Sequence, residues 1–278
     1  MTSIDRGFPR ARKSLGQNFL ASPAVAGRIA AALRPAAGEL VLEIGPGRGA
    51  LTAPLAATGA SVAAFEIDAP LVPRLRETFA ASPRVEIVHA DIRGVDLDAE
   101  AASRGFASFK LAGNIPYNLT STILIDLARW RRLGAAALMV QREVGERILA
   151  SPGTRACGIL SIFLQSYFII ERVTTVRPGS FTPPPKVMSV VLAFTPLDPA
   201  RGPRDRLDFL AFLKTGFAHR RKKLRSAVPA FADGRAPAIE ELAERTGIDF
   251  DARPEALALE NWLALYCAVR RAGAGGGK

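Results

Sequence analysis

Two cysteines, two histidines, two tryptophans and three tyrosines among 278 residues leave little material for several kinds of chemistry. Cys157 and Cys267 lie far apart and neither belongs to a C-x-x-C pair, which argues against a disulfide framework and a cysteine zinc site. His89 and His219 are too isolated for a histidine metal cluster, and His89 reads as a structural residue. No metal is expected. Long apolar runs are missing as well: the most apolar stretch, Gly158 to Ile170, is short and broken by Ser161, Gln165 and Ser166. It reads as a buried helix running into a strand, so no membrane attachment is expected. Met1 to Lys13 is polar and basic, without the apolar core of a secretory signal. A reducing, cytoplasmic setting and a monomeric chain are the expectations.

What is present is aliphatic and basic. Hydrophobic residues make up 49% of the chain and aromatics 7%, so a sizeable core must be packed mainly with aliphatic side chains. The length suits one large domain, or a medium one with an appendage. Thirty-seven Lys and Arg against 26 Asp and Glu give a net charge of +11, which points to a polyanionic partner. Fifteen of those cations and ten of the acids fall in residues 201–278, a local +5 that leaves +6 for the rest. The excess is spread, so its clustering has to carry the inference.

Apolar runs at Leu40 to Ile44, Ser61 to Phe65, Val85 to Val88, Phe109 to Ala112 and Ala135 to Val140 read as buried strands. Helical segments precede or separate them at Ala24–Leu33, Ala50–Ala57, Leu71–Phe79 and Ser121–Trp130, with two more at Glu143–Leu149 and Gly158–Gln165. Tyr167 to Val176 and Val187 to Phe194 read as a closing pair of strands. This alternation predicts an α/β, Rossmann-like doubly wound sheet over residues 1–198, whose ligands lie beyond the carboxyl ends of the strands. Thr195 to Arg206, with three prolines, reads as a linker. Beyond it, Leu207–Ala218, Lys222–Val228, Ile239–Thr246 and Glu255–Arg271 predict a small all-helical domain over 205–272.

Four strand ends carry chemistry. Glu43-Ile44-Gly45-Pro46-Gly47-Arg48-Gly49 is a Gly-x-Gly-x-Gly turn that lets backbone approach a ligand closely. It lacks the G-x-G-x-x-G spacing of a pyrophosphate cradle, and acidic Glu43 suits a ligand bearing an ammonium and a sulfonium better than one bearing phosphates. Glu66 can accept both hydroxyls of a ribose, and Asp91 lies where it can reach an adenine amine. The fourth end, Leu111-Ala112-Gly113-Asn114-Ile115-Pro116-Tyr117, offers what chemistry on the exocyclic amine of a flat base requires. That amine is a poor nucleophile because its lone pair is delocalised into the ring. The Asn114 amide oxygen and the Ile115 carbonyl can accept its two hydrogens and favour the tetrahedral nitrogen that attacks. Pro116 fixes its own φ and biases Ile115 away from helix, so that carbonyl is held beforehand. Tyr117 offers a stacking face for a base drawn out of its helix, and Phe181, heading Phe181-Thr182-Pro183-Pro184-Pro185-Lys186-Val187, offers a second. The competing readings are a plain Asn-X-Pro turn and a core-anchoring Phe.

His219-Arg220-Arg221-Lys222-Lys223-Leu224-Arg225 concentrates five permanent charges at what reads as a helix start, a candidate grip on a phosphate backbone. Arg10, Arg12 and Lys13 form a second basic cluster.

Assembled in order, these segments make the chain resemble the ribosomal RNA adenine N6,N6-dimethyltransferases, and among them the bacterial small-subunit (16S) branch. The likeness runs from Lys13-Ser14-Leu15-Gly16-Gln17-Asn18-Phe19-Leu20 through the glycine loop, Glu66, Asp91 and Asn114-Ile115-Pro116-Tyr117-Asn118. It continues through Gln141-Arg142-Glu143-Val144, Gly158-x-Leu160-Ser161, the Phe181 loop, and Phe217-x-x-Arg220-Arg221-Lys222. The resemblance implies S-adenosylmethionine (SAM) as methyl donor within the methyltransferase version of the Rossmann-like fold. It implies two adjacent adenosines of a hairpin loop near the 3' end of small-subunit rRNA as acceptors, each dimethylated during assembly of the immature small subunit. Carried over residue by residue, Gln17, Asn18 and Leu20 line the cofactor together with Gly45, Gly47, Glu66, Ile67, Asp91, Ile92 and Asn114. Asn114, Ile115, Pro116, Tyr117 and Phe181 hold and activate the base. Arg12, Lys13, Arg220, Arg221, Lys222, Lys223 and Arg225 meet RNA. His219, Lys223 and Ser226 depart from the expected Gln, Thr and Asn. The implied reaction is direct displacement at the methyl carbon, driven by positioning, with neither a metal nor a covalent intermediate.

Three rival readings remain at this point. An antibiotic-resistance methyltransferase acting on large-subunit (23S) RNA shares most of these motifs, though Gly16 before Gln17-Asn18-Phe19 and the long helical tail favour the small-subunit enzyme. A non-catalytic nucleic-acid-binding assembly factor is disfavoured by the intact Asn114-Ile115-Pro116-Tyr117. A nicotinamide dehydrogenase is disfavoured by the glycine spacing and the lack of an acid-base histidine.

Overall fold

The computed structural model describes residues 7–231 and 238–274, apart from the side chains of Lys13 and 271–274, so the RNA-contact expectation for Lys13 lies outside the described residues. The chain divides into two compact units, one formed by Met1–Gly145 and Ile170–Pro196, the other by Glu146–Ile169 and Leu197–Lys278.

The elements run β1 (Phe19–Leu20), α1 (Pro23–Leu33), β2 (Leu40–Ile44), α2 (Thr52–Ala56), β3 (Ser61–Glu66), α3 (Val72–Thr78), β4 (Val85–His89), α4 (Leu97–Ser103), β5 (Phe109–Asn114), α5 (Thr120–Leu127), β6 (Leu133–Gln141), α6 (Arg142–Ile148), α7 (Ile159–Gln165), β7 (Phe168–Val176), β8 (Phe181–Thr182), β9 (Ser189–Pro196), α8 (Arg206–Phe217), α9 (Ile239–Thr246) and α10 (Leu259–Ala274). The sheet of the first unit has strand order β4-β3-β2-β5-β6-β9-β7. Its first five strands are parallel and β9 runs antiparallel to β6. Successive strands move outward from β2 to β4, then the chain returns to lay β5 on the other side of β2. That reversal opens a crevice at the carboxyl ends of β2 and β5, where a doubly wound sheet takes its ligand.

Local sequence accounts for most of these boundaries. In α1, Ser22 caps the first turn by accepting from Val25 N, Pro23 occupies a position that needs no donor, and Arg34 ends the helix at φ 46°. All five residues of β2 are buried, as suits a central parallel strand covered on both faces. One face of the sheet is filled by Ile29, Leu33, Val41, Leu55, Val62 and Met139. Truncating any of them to Ala should cost about 2–5 kcal/mol. Helix α4 was not expected from the sequence. Asp96 caps it by accepting from the backbone of Asp98 and Ala99, and Asp98 accepts in turn from Arg131 N and Arg132 N at 2.9 Å each.

The second unit is built around aromatics. Trp262 is fully buried, stacks on Phe217 at 5.1 Å and meets Phe212 edge-on, while Phe212 stacks on Phe231 at 4.3 Å. Gly216 belongs to this packing, because a Cβ there would sit 2.5 Å from the Trp262 ring. Helix α7 packs on α8 and α10, which carries Glu146–Ile169 into this unit. The division therefore differs by that segment from the expected 1–198 and 205–272.

Two expected helices take other forms. Lys222–Val228 is not an α-helix: residues 218–221 form a turn and 222 a bend, followed by single 3-10 turns at Leu224–Ser226 and Val228–Ala230. The amides of Leu224 and Arg225 are drawn to the carbonyls of Ala252 and Phe250, at 2.9 and 3.0 Å, and Pro229 has no amide to donate. The last helix starts at Leu259, not Glu255, because Pro254–Ala256 forms a 3-10 turn and Asn261 Oδ1 accepts from Ala258 N. No helix among the described residues is long and apolar enough to cross a membrane.

Candidate active site

The first unit's crevice holds a partly open cavity walled by Gln17 to Leu20, the glycine turn, Glu66 and Ile67, Asn114 to Tyr117, and Phe181. Strands β2, β3 and β5 deliver three of these groups at their carboxyl ends. The others arrive through a two-residue ribbon in which β1 pairs with β8, Leu20 facing Phe181.

The glycine turn is shaped by its conformation. Gly47 has φ +59°, and a Cβ there would lie 2.8 Å from the Phe19 ring, so a side chain meets both strain and collision. Its amide donates to Glu66 Oε2 at 3.0 Å, and Asp68 N donates to Oε1 at 2.9 Å. Glu66 is 4% exposed, and burial raises its carboxyl above the ordinary range against the pull of those two amides. Glu43 is more deeply placed, at 1% exposure inside β2. Burial pushes it up to about 8, with a weaker push from the charge of Glu66 and opposition from Thr52. Its Oε2 is buried without a hydrogen-bond partner among the described residues.

Asn114 is oriented by its amide nitrogen, which donates to the Asn18 carbonyl at 3.0 Å. That bond leaves Oδ1 as the acceptor available to a ligand. Ile115 is anchored to β6 through its amide and Met139 O at 3.1 Å. The Pro116 carbonyl is taken by Leu119 N and Thr120 Oγ1, whereas no donor reaches the Ile115 carbonyl among the described residues. Two acceptors are thus presented together, as amine activation requires. Tyr117 is half-buried in the wall. Phe181 lines the cavity yet is only 5% exposed and belongs to the core around Leu20 and Val176, so its ring anchors the core as well.

Gln17 does not face the cavity freely: its Nε2 donates to buried Asp68 at 2.7 Å while its Oε1 accepts from Arg12 N. Arg12 itself pairs with Asp68 at 3.0 Å, so this cation serves a carboxylate of its own chain. Asp91 and Ile92 are not among the cavity walls. The Asp91 carboxylate caps the turn that follows it and is held by Arg93, which also keeps it below the usual carboxylate range, and Ile92 is buried. Sequence reasoning did not assign Asp68, Phe19 or Arg48 to the site. Asp68 was visible as an acid after β3, but its clasp on Arg12 and Gln17 spans more than fifty residues. Arg48 lies over the Phe19 ring at 4.6 Å and donates to Pro9 O.

A second feature lies wholly within the other unit. Arg147, Arg155, Arg220, Arg221 and Arg253 border a cleft of about 960 Å³. Arg220 donates to Arg155 O at 2.6 Å and lies 3.5 Å from Glu255, while Arg221 is exposed. Lys222 is exposed outside the cleft walls, and Lys223 and Arg225 pair with Asp251 at 3.5 and 2.5 Å. These cations stand on turns after α8 and not at a helix start. Among the described residues no group of His, Cys, Asp and Glu is arranged to hold a metal.

The donor set fits an adenosine-bearing cation. Glu66 supplies a carboxylate for hydroxyls, Ile67, 42% exposed, supplies an apolar face for a base, and Glu43 supplies an uncompensated carboxyl oxygen.

The model of the family described as "Ribosomal RNA adenine dimethylase" matches residues 9–266. The Ribosomal RNA small subunit methyltransferase A of Geobacter sulfurreducens is 43% identical over 267 residues, covering 95% of this chain and 97% of its own. That of Thermosynechococcus vestitus is 42% identical over 270 residues, covering 94% and 98%. The crystal structure of a dimethyladenosine transferase from Plasmodium falciparum superposes with a TM-score of 0.80 at 23% identity, over 92% of this chain and 98% of that one. At that identity the likeness is one of fold.

Proposed function

The chain belongs to the ribosomal RNA adenine dimethylase family and is a SAM-dependent rRNA adenine N6,N6-dimethyltransferase; from that premise we propose its target and the roles of its residues. The target is a pair of adjacent adenosines in a hairpin loop near the 3' end of small-subunit (16S) rRNA, met on an immature small subunit. Each base receives two methyl groups. Relatives named for the small subunit, 43% and 42% identical across nearly the whole chain, support that choice over the large subunit.

One observation carries the chemical reading. The Asn114 amide is turned by the Asn18 carbonyl so that Oδ1 stays free, next to the equally unclaimed Ile115 carbonyl. SAM held by Glu66, Ile67 and the turn around Gly45 and Gly47 supplies an electrophilic methyl group. Gln17, Asn18 and Leu20 close over it. Asn114 and Ile115 accept the two hydrogens of the adenine amine and raise the density on nitrogen as it becomes tetrahedral. Tyr117 stacks on the base and Phe181 backs it from the core. The amine needs no dedicated base, because its proton becomes acidic once nitrogen turns positive. Asp91 and Ile92 act at one remove, by shaping the turn after β4. Arg220 and Arg221, with Lys222, take RNA phosphates; Lys223 and Arg225 join from beside Asp251, and Arg12 chiefly fastens Asp68.

Primer extension over rRNA from cells lacking this chain tests the target. The expected result is loss of a paired block near the 3' end of small-subunit RNA, restored by the wild-type gene and not by Asn114→Ala. A block lost from large-subunit RNA instead, or no change in either RNA, would overturn the proposal.

A further inference from the structure

The Glu43 carboxyl combines three properties that the placement of SAM alone does not explain. It stands next to last in a strand buried along its whole length, it contributes to the cavity wall, and its Oε2 is sealed from solvent without a partner among the described residues. A carboxylate left so would be costly, whereas a neutral acid is tolerated until a cation arrives. Among the described residues around it there is no such cation. The residues paired with it on β3 and β5 are Ala64 and Ala112, and α2 contributes the hydroxyl of Thr52. Glu66, at the end of β3, adds like charge, and Asn114, at the end of β5, is uncharged. Arg48, the one cation among the cavity walls, lies over the Phe19 ring.

We propose that Glu43 is a charge sensor for the cofactor: it is protonated in the empty cavity and gives its proton to solvent when a sulfonium enters. Binding then couples two events, arrival of a positive sulfur and departure of one proton, and leaves the carboxylate facing the cation. After transfer the sulfur is neutral in S-adenosylhomocysteine (SAH), and the carboxyl regains a proton from solvent as its reason to ionise disappears. The cavity thereby distinguishes fresh cofactor from spent cofactor by charge, although the two differ by a single methyl group. Linkage gives the sign. Glu43 holds its proton below about 8 in the free protein, so between pH 6 and 7.5 binding has to expel that proton, and each rise in pH makes the expulsion easier by lowering the proton activity outside. SAM affinity should rise by up to about tenfold per pH unit over that window.

The inference rests on SAM occupying this cavity, and the test separates the two. Titration calorimetry of wild type in buffers of different ionisation enthalpy at pH 7 should report release of close to one proton with SAM and clearly less with SAH. Glu43→Gln, a neutral isostere, should release almost none and bind SAM with an affinity nearly flat from pH 6 to 7.5. Thermal unfolding of the free proteins checks that the variant folds and supplies a second readout. Wild type should lose stability relative to Glu43→Gln as pH rises from about 4.5 to 8 and level off above it, because over that interval the folded state binds a proton that the unfolded chain has given up. Equal proton release by wild type and variant, or equal release with SAM and SAH, would overturn the sensor. Ile67→Glu tests the cavity itself. If it abolishes SAM binding while wild-type affinity is pH-independent, the cavity stands and the sensor falls. If it leaves SAM binding unchanged, the cofactor lies elsewhere and both fall.

Discussion

Asn114 and Arg221 sit at opposite extremes in how this protein offers a polar group to a ligand. Asn114 is held by one hydrogen bond to a neighbouring carbonyl, in a wall where few groups are charged and few are exposed. Arg221 stands exposed at a cleft bordered by four more arginines, with Glu255 as the acid among its walls. The first arrangement spends its order on geometry: a single acceptor must point at one nitrogen. The second spends charge on reach, because phosphates are met along a backbone in many positions and need no single angle. Precision should therefore be lost abruptly in one unit and gradually in the other.

Substituting Asn114 is the sharpest way to break that contrast. Asn114→Ala should lower kcat by about 10²–10³ or more while SAM and RNA still bind, since the role proposed for the amide is on a charge that develops only in the transition state. Steady-state kinetics beside direct binding would show it. Equal losses of turnover and RNA affinity would make Asn114 a turn residue. Glu66→Ala comes next. Removing an acceptor of two ligand hydroxyls should weaken SAM by about 1.5–3 kcal/mol and leave RNA affinity intact, as calorimetry can report. Part of that loss will come from freeing the amides of Gly47 and Asp68, so Glu66→Gln should recover less affinity than its size alone suggests.

In the other unit the effects should be graded. Replacing Arg220, Arg221 and Lys222 with Ala should flatten the dependence of RNA affinity on salt, with a slope change nearer two than three, because Arg220 is already engaged with Glu255 and the Arg155 carbonyl. SAM affinity should not move. A triple variant with unchanged affinity and slope would reduce the patch to solvated surface. The smallest effect belongs to Asp251→Asn. It releases Lys223 and Arg225, so RNA should bind slightly tighter and with a steeper salt slope, by less than about 1 kcal/mol given how exposed both pairs are.

The same contrast explains what could be read from the chain alone. Strands β2 and β5 announced themselves as apolar runs ending at Gly45 and Asn114, and the crevice between them follows from their adjacency in the sheet. Asn114, Ile115 and Tyr117 were legible because their chemistry is packed into consecutive residues. Asp68 was not, since its importance lies in partners 51 and 56 residues away. Nor was the isolation of Glu43, which appears only when Ala64 and Ala112 are seen on either side. The basic segment was recognised by composition but given the wrong local form, because Ala252 and Phe250 claim the amides of Leu224 and Arg225. Helix α4 went unnoticed because its start depends on Asp96 and its anchoring on Asp98, residues that occur as often in loops.

The pairing of Leu20 with Phe181 also sets a timetable. The amino-terminal half of that ribbon leaves the ribosome early, while its partner is made some 160 residues later, about 10–30 s afterwards at ordinary rates of synthesis. During that interval Gln17 to Leu20 have no second strand to hold them over the cavity. Strands β2 to β6 can pair in the meantime, but the cofactor's enclosure is among the last parts of the first unit to be completed. A chain cut short before Phe181 would carry the Asn114 motif and the glycine turn, yet would lack the ribbon that closes them, so a closed cavity requires synthesis to pass the Phe181 loop.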